Sequence, residues 1–282
     1  MLDTQPFVVL GPQVAQRPVV LGVPHAGRAY SAALLGAARV PLSVLQRLED
    51  RSADQLATAA IDAGFTVVVA QAPRAYIDLN RAEWDLDPLA LAKPLQGLRP
   101  SHRARAGLGL IPHRLAPEGL LWRETLRTTD VEQRLAVVHR PYHQAIENLL
   151  AAARLRWGAA AFIDLHSMPT PADPVDVAIG DRFGLTASGG LVDQLLALTE
   201  GHGFSAARNH PYAGAFGIER HMHRGSGSEA LQLEIARHLY LHADGRPDGS
   251  GLARVGSLIQ AIAEATEASL LAGQETLAIA AE

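Results

Sequence analysis

Ala159-Ala-Ala-Phe-Ile-Asp-Leu-His-Ser-Met-Pro169 starts with small, aromatic and branched apolar residues and passes into polar ones before a proline. So short an apolar run predicts a buried strand over Ala159–Leu165 that runs straight into His166. The same composition recurs in Pro18-Val-Val-Leu-Gly-Val-Pro24 and Phe65-Thr-Val-Val-Val-Ala70, each predicted to be a further buried strand. Ala75-Tyr-Ile-Asp-Leu79 predicts another strand or a strand edge, and Val175–Gly180 a short one. Between them the apolar period lengthens to that of a helix. Leu45, Leu48, Leu56, Ala60 and Ile61 predict a helix over Pro41–Gly64, with Gly64 as its stop. Asp130–Arg156 predicts a second, with Asp130 as N-cap and a kink or break at Pro141. Gly189–Gly201 and Arg254–Ala272 read as helices, Phe204 opens an extended piece, and Ala230–Tyr240 reads as extended and then helical. Buried strands alternating with helices predict an α/β domain with a mostly parallel or mixed sheet. In such sheets chemistry gathers at the carboxyl ends of the strands.

The chain has 282 residues, 25 Lys+Arg and 29 Asp+Glu, a balance that gives no basic surplus for nucleic acid or a membrane surface. Cysteine is absent, which removes disulfides, thiol catalysis and thiolate metal sites, so any metal must be held by nitrogen and oxygen. The opening Met-Leu-Asp-Thr-Gln lacks a basic signal-peptide start, and no apolar run is long enough to span a bilayer. A cytoplasmic protein with one domain over 1–282 is expected. Its irregular excursion lies at about 82–130, where Pro88, Pro94, Pro100 and Pro117 interrupt every period.

Candidate chemistry follows from placement. His25 and His166 stand at the ends of predicted strands, and Asp164 lies on the same strand face as His166, where it could orient the ring. Solvent-exposed turn histidines would look the same in sequence. Asp50 and Asp54 share a helical face with Arg47 and Arg51 nearby, a pattern that equally suits a solvated face. Asp78-Leu-Asn-Arg81, with Arg74 upstream, offers guanidiniums for carboxylate or phosphate; loop ion pairs from Arg81 to Asp85 or Asp87 are the alternative. His210-Pro-Tyr-Ala-Gly214 and Gly225-Ser-Gly-Ser228 form polar, small-residue loops, the second a weak anion site without a P-loop lysine. In Leu231-Gln-Leu-Glu-Ile235, Glu234 is either a general base or a solvent-facing carboxylate. Dinucleotide, serine-hydrolase, P-loop and His-Glu-x-x-His signatures are all missing.

Seven short blocks, in order, resemble the N-formylglutamate amidohydrolase family. They are Pro24-His-Ala-Gly27, Asp50-Arg-Ser-Ala-Asp-Gln-Leu56, Arg74-Ala-Tyr-Ile-Asp-Leu-Asn-Arg81, Pro141-Tyr-His143, Asp164-Leu-His-Ser-Met168, Gly180-Asp-Arg-Phe-Gly184 and Leu231-Gln-Leu-Glu-Ile235. The resemblance implies a three-layer α/β/α fold with a mixed, largely parallel sheet, similar to zinc carboxypeptidases (phosphorylase/hydrolase-like). It implies one Zn2+, or another divalent ion, held by His25, His166 and a carboxylate, Asp50 ahead of Glu49 or Asp54. Glu234 becomes the acid/base group, and Arg74, Asn80 and Arg81 grip substrate carboxylates, with His143, His210 and Tyr212 lining the pocket. The implied partner is a small N-acyl amino acid, most specifically N-formyl-L-glutamate, cleaved to L-glutamate and formate. A carboxypeptidase-like peptidase, a deacylase of other N-acyl amino acids and a non-catalytic metal- or carboxylate-binding module are the alternatives. Oligomeric state is left open.

Overall fold

A computed structural model describes residues 4–93, 95–170, 175–223 and 227–280. The strands are β1 (Phe7–Leu10), β2 (Val19–Val23), β3 (Thr66–Ala70), β4 (Arg114–Leu115), β5 (Gly119–Leu120), β6 (Ala161–Met168), β7 (Val177–Gly180), β8 (Ala206–Arg208) and β9 (Glu229–Ala236). The helices are α1 (Ala32–Ala37), α2 (Leu42–Leu45), α3 (Ala53–Leu56), α4 (Thr58–Asp62), α5 (His102–Arg105), α6 (Thr128–Arg134), α7 (Arg140–Trp157), α8 (Gly189–Gly201), α9 (Phe216–His221) and α10 (Gly249–Ala280).

Seven strands form one sheet in the order β1-β3-β2-β6-β9-β7-β8. Strand β6 runs parallel to β2 and β9, β7 parallel to β8, and β7 antiparallel to β9, so the sheet is mixed and mostly parallel as expected. The residues of β2, β3, β6 and β7 are buried along their whole length, which is why they read as apolar runs without alternation. Each fully buried valine or leucine of β2 contributes about 1.5–3 kcal/mol from lost apolar exposure.

The chain divides into two compact units of interleaved segments. One holds residues 1–8, 24–49 and 69–144, the other 9–23, 50–68 and 145–282. In the second, α10 packs on α3, α4 and α8 and touches β2 and β6, while α9 lies on β6 and β9. In the first, Leu86, Leu110, Ile111 and Leu121 of the irregular 82–130 stretch are fully buried. That stretch is irregular as expected, yet it supplies core and carries the β4–β5 antiparallel pair. Its Pro94 lies outside the described residues.

Three local expectations are corrected. The helix predicted over 41–64 is broken into α2, a 3₁₀ turn at Gln46–Leu48, α3 and α4, because Glu49 is extended and Ser52 is left-handed at φ 61°. Residues 74–76 form a turn and 77–78 no strand, since their backbone bonds to Pro73 and Leu110 rather than to the sheet. Asp130 is not the N-cap of its helix; it sits three residues inside α6 and accepts from the Arg127 backbone at 3.1 Å. The disturbance expected at Pro141 appears as a π turn over Leu135–His139, which absorbs the backbone bond that proline cannot donate.

Candidate active site

In the first unit, the residues that follow β2 turn sharply at Pro24-His-Ala-Gly27. Gly27 is required there, since a Cβ would stand 2.0 Å from the Ala72 carbonyl oxygen. The turn buries His25, whose Nε2 lies 2.7 Å from Asp78 Oδ1. Asp78 is fully buried and much engaged: Arg74 Nε donates to Oδ2 at 2.8 Å, and the Asn80 backbone N–H donates to Oδ1 at 2.9 Å. Arg81 Nε stands 3.8 Å from Oδ2. Burial alone would raise the Asp78 carboxyl, but Arg74, His25 and Arg81 hold it well below the usual carboxylate range. Arg81 also reaches Asp85 at 3.5 Å, so the loop ion pair considered from sequence exists beside the cluster. His143 is buried and donates from Nε2 to the Leu79 carbonyl at 2.9 Å, while His139 donates to the Arg81 carbonyl at 2.8 Å. The two rings stand 4.5 Å apart and brace the backbone that carries Asn80 and Arg81.

In the second unit, the break in the 41–64 helix lifts Asp50 out of helical register. Asp50 Oδ2 lies 3.2 Å from His166 Nδ1, and Oδ1 accepts from Ser167 Oγ and Arg237 Nη2, both at 3.1 Å. On the other side of the ring, His166 Nε2 is 3.1 Å from Asp164 Oδ2. Burial would make His166 less basic, but Asp164, Asp50 and Glu234 push its pKa well above the usual histidine value. Glu234 lies directly across the ladder from His166. It is only 9 % exposed on a strand buried on both faces, which excludes the solvent-facing alternative.

The structure brings together three of the sequence-derived candidates. His25, Asp50 and His166 each offer a ligand atom, and these atoms lie within 4.8 Å of one another. Both histidines are buried, so neither is an exposed turn residue. Of the neighbouring carboxylates, Glu49 accepts from Tyr30 Oη at 2.7 Å and Asp54 is half-buried in α3. His210 is exposed and Tyr212 half-buried in the segment between β8 and α9. Gly225 and Ser226 of the weak anion motif lie outside the described residues. Sequence reasoning gave no role to Asp78 or Arg237. The first lay inside a quoted block, but its partners are His25 and Arg74; the second had no local signal, because Asp50 is 187 positions away.

A profile of the N-formylglutamate amidohydrolase family matches residues 17–241. N-formylglutamate deformylase of Pseudomonas putida is 28% identical over 233 residues, covering 79% of this chain and 82% of that protein. The crystal structure of N-formylglutamate amidohydrolase from Ralstonia eutropha JMP134 superimposes with a TM-score of 0.88 at 31% identity, covering 96% of this chain and all (100%) of that one. A gene product of Agrobacterium tumefaciens shares the fold at a TM-score of 0.67 and 17% identity, over 96% of this chain and 97% of its own. The match spans most of the chain and includes every block that carried the resemblance: the chain belongs to the N-formylglutamate amidohydrolase family, enzymes that hydrolyse an amide.

Proposed function

We propose that this chain is a divalent-metal-dependent hydrolase that cleaves N-formyl-L-glutamate to L-glutamate and formate, with Zn2+ as the ion. The observation that carries the reading is the convergence of one ligand atom each from His25, Asp50 and His166 within 4.8 Å. The donor chemistry fits such an ion: two imidazoles and a carboxylate, with no thiolate in the chain. Each imidazole also has a carboxylate against its Nε2, Asp78 for His25 and Asp164 for His166, the usual way a ligating ring is oriented. His25, Asp50 and His166 would hold the ion, which when bound supplies a Lewis acid for the formyl carbonyl and an acidified water.

The chain's own residues do the rest. Glu234 takes a proton from the water that attacks the formyl carbon and returns it to the amine nitrogen as the C–N bond breaks. Its position across from His166 on β9 supports that role. Arg74, Asn80 and Arg81 bind the two carboxylates of the substrate, a task suited to planar guanidiniums. His143 keeps Asn80 and Arg81 in place through the Leu79 carbonyl, and His210 and Tyr212 belong to the pocket wall.

The test is metal analysis combined with an assay for formate and free glutamate, before and after exhaustive chelation. Chelation should abolish turnover and Zn2+ should restore it, with acetyl- and peptidyl-glutamates poorer than the formyl compound. A His166→Ala variant that keeps full turnover after chelation would overturn the metal reading.

A further inference from the structure

The segment between β8 and α9 is clasped at both ends, and the hydrolytic chemistry above uses none of the clasp. Asp181, fully buried just beyond β7, accepts from Arg208 Nη2 at 2.6 Å and from Asn209 Nδ2 at 2.5 Å. Its own backbone N–H donates to Asn209 Oδ1 at 3.0 Å. Asn209, left-handed at φ 58°, donates its backbone N–H to the Ile179 carbonyl at 2.9 Å. At the far end the Arg182 N–H donates to the Ala213 carbonyl at 2.8 Å. Gly180 lets the two backbones meet, since a Cβ there would lie 2.7 Å from Ala213 C and Gly214 N. The last residue of the segment, Ala215, donates its N–H to Gln232 Oε1 at 3.1 Å. Gln232 Nε2 in turn donates to Glu234 Oε1 at 2.8 Å.

We infer that Gln232 is a positioning residue whose side-chain amide transmits the pose of the clasped 209–215 segment to the Glu234 carboxylate. The inference rests on the acid/base role proposed above for Glu234. Gln232 is 3 % exposed and shares a face of β9 with Glu234, two residues on. An amide presents its acceptor and donors on opposite sides, so only one of its two flipped orientations satisfies both Ala215 and Glu234. The Ala215 bond therefore selects the orientation that points a donor at Glu234. That donor fixes the carboxylate rotamer without adding charge. The substrate carboxylates are gripped by Arg74, Asn80 and Arg81, while His210 and Tyr212 only wall the pocket, so the linkage acts chiefly on kcat.

The test compares Gln232→Met, Asp181→Asn, the double variant and Glu234→Gln. Readouts are kcat and KM on N-formyl-L-glutamate and hydrogen exchange of the peptide covering 209–217. Methionine fills the space of glutamine without either hydrogen bond. Gln232→Met is expected to lower kcat by about 10- to 100-fold with KM within about twofold. It should also speed exchange over 209–217, which Glu234→Gln leaves unchanged. The double variant should lose no more than Gln232→Met alone, because both changes cut one linkage. A kcat for Gln232→Met within about twofold of wild type, or losses that multiply in the double variant, would overturn the inference. Should Gln232→Met not fold, Gln232→Glu keeps the acceptor and removes the donor. It should lose kcat with exchange unchanged, and full kcat there is equally fatal. If Glu234→Gln itself retains full turnover, the acid/base reading fails rather than the linkage, which the exchange comparison then decides.

Discussion

Around Asp78 one carboxylate is met by Arg74, His25 and Arg81; around His166 one imidazole is met by Asp164, Asp50 and Glu234, with Arg237 on Asp50. Both groups are buried, and in each the neighbouring groups outweigh burial in setting the direction of the pKa. They differ in what is left over. The Asp78 cluster presents two guanidiniums, Arg74 and Arg81, and suits an anion such as a substrate carboxylate. The His166 cluster has a surplus of carboxylates and suits a divalent cation. Burial makes each set of charges count for more than it would at the surface.

The largest break comes from the carboxylate-rich side. Glu234→Gln keeps size and removes the proposed base, so kcat should fall by about 10²- to 10⁴-fold while metal content, read by elemental analysis, stays at the wild-type level. Next is Asp78→Asn, which strips the cation-rich cluster of its counter-charge and His25 of its orienting partner. Metal affinity should drop by about 10- to 100-fold in a chelator competition. Denaturant unfolding should show a loss of about 3 kcal/mol from the cations left buried without compensation. A smaller effect, about tenfold in KM, is expected for Arg81→Lys and for Arg74→Lys, since an ammonium cannot reproduce a guanidinium's paired bonds. With N-formyl-L-glutamine, which has one carboxylate fewer, only one of the two substitutions should matter. A uniform penalty would mean that the arginines serve Asp78 alone.

The smallest effect serves as the baseline outside both clusters. Glu147 is drawn down to about 2 by His221, His223 and Arg154, of which His223 and Arg154 lie at 3.1 and 2.7 Å. A carboxyl lowered in the folded state stabilises the fold above its unfolded value of about 4.3, and that contribution fades as pH falls toward 2. Glu147→Gln should therefore cost at most about 1 kcal/mol at pH 7, as befits a part-exposed group, and nothing measurable near pH 2 in urea unfolding.

The strands at Val19–Val23, Thr66–Ala70 and Ala161–Met168 were legible because burial on both faces leaves an unmistakable apolar run. The break at Glu49–Ser52 was not, since a left-handed serine carries no compositional mark and the apolar period continues on either side. That break is what frees Asp50 from helical register, so the carboxylate partner of the two histidines needed the family likeness to be singled out at all. His25 and His166 could be chosen from placement at strand ends. Gln232 could be seen to share a face with Glu234, but its bond to Ala215 spans 17 positions and two elements, with no periodicity to announce it. Ala75–Leu79 misled because alternating residues beside a proline turn mimic a strand edge.

At Gly27 a single methyl group would overlap the Ala72 carbonyl, only 2.0 Å from where its carbon would sit. Directed evolution of acyl preference would meet a hard wall there. Libraries that randomise residues 24–28 should return glycine at 27 in every folded clone, whatever substrate is selected. The residue that brings no chemistry of its own is thus the one this turn is least able to exchange.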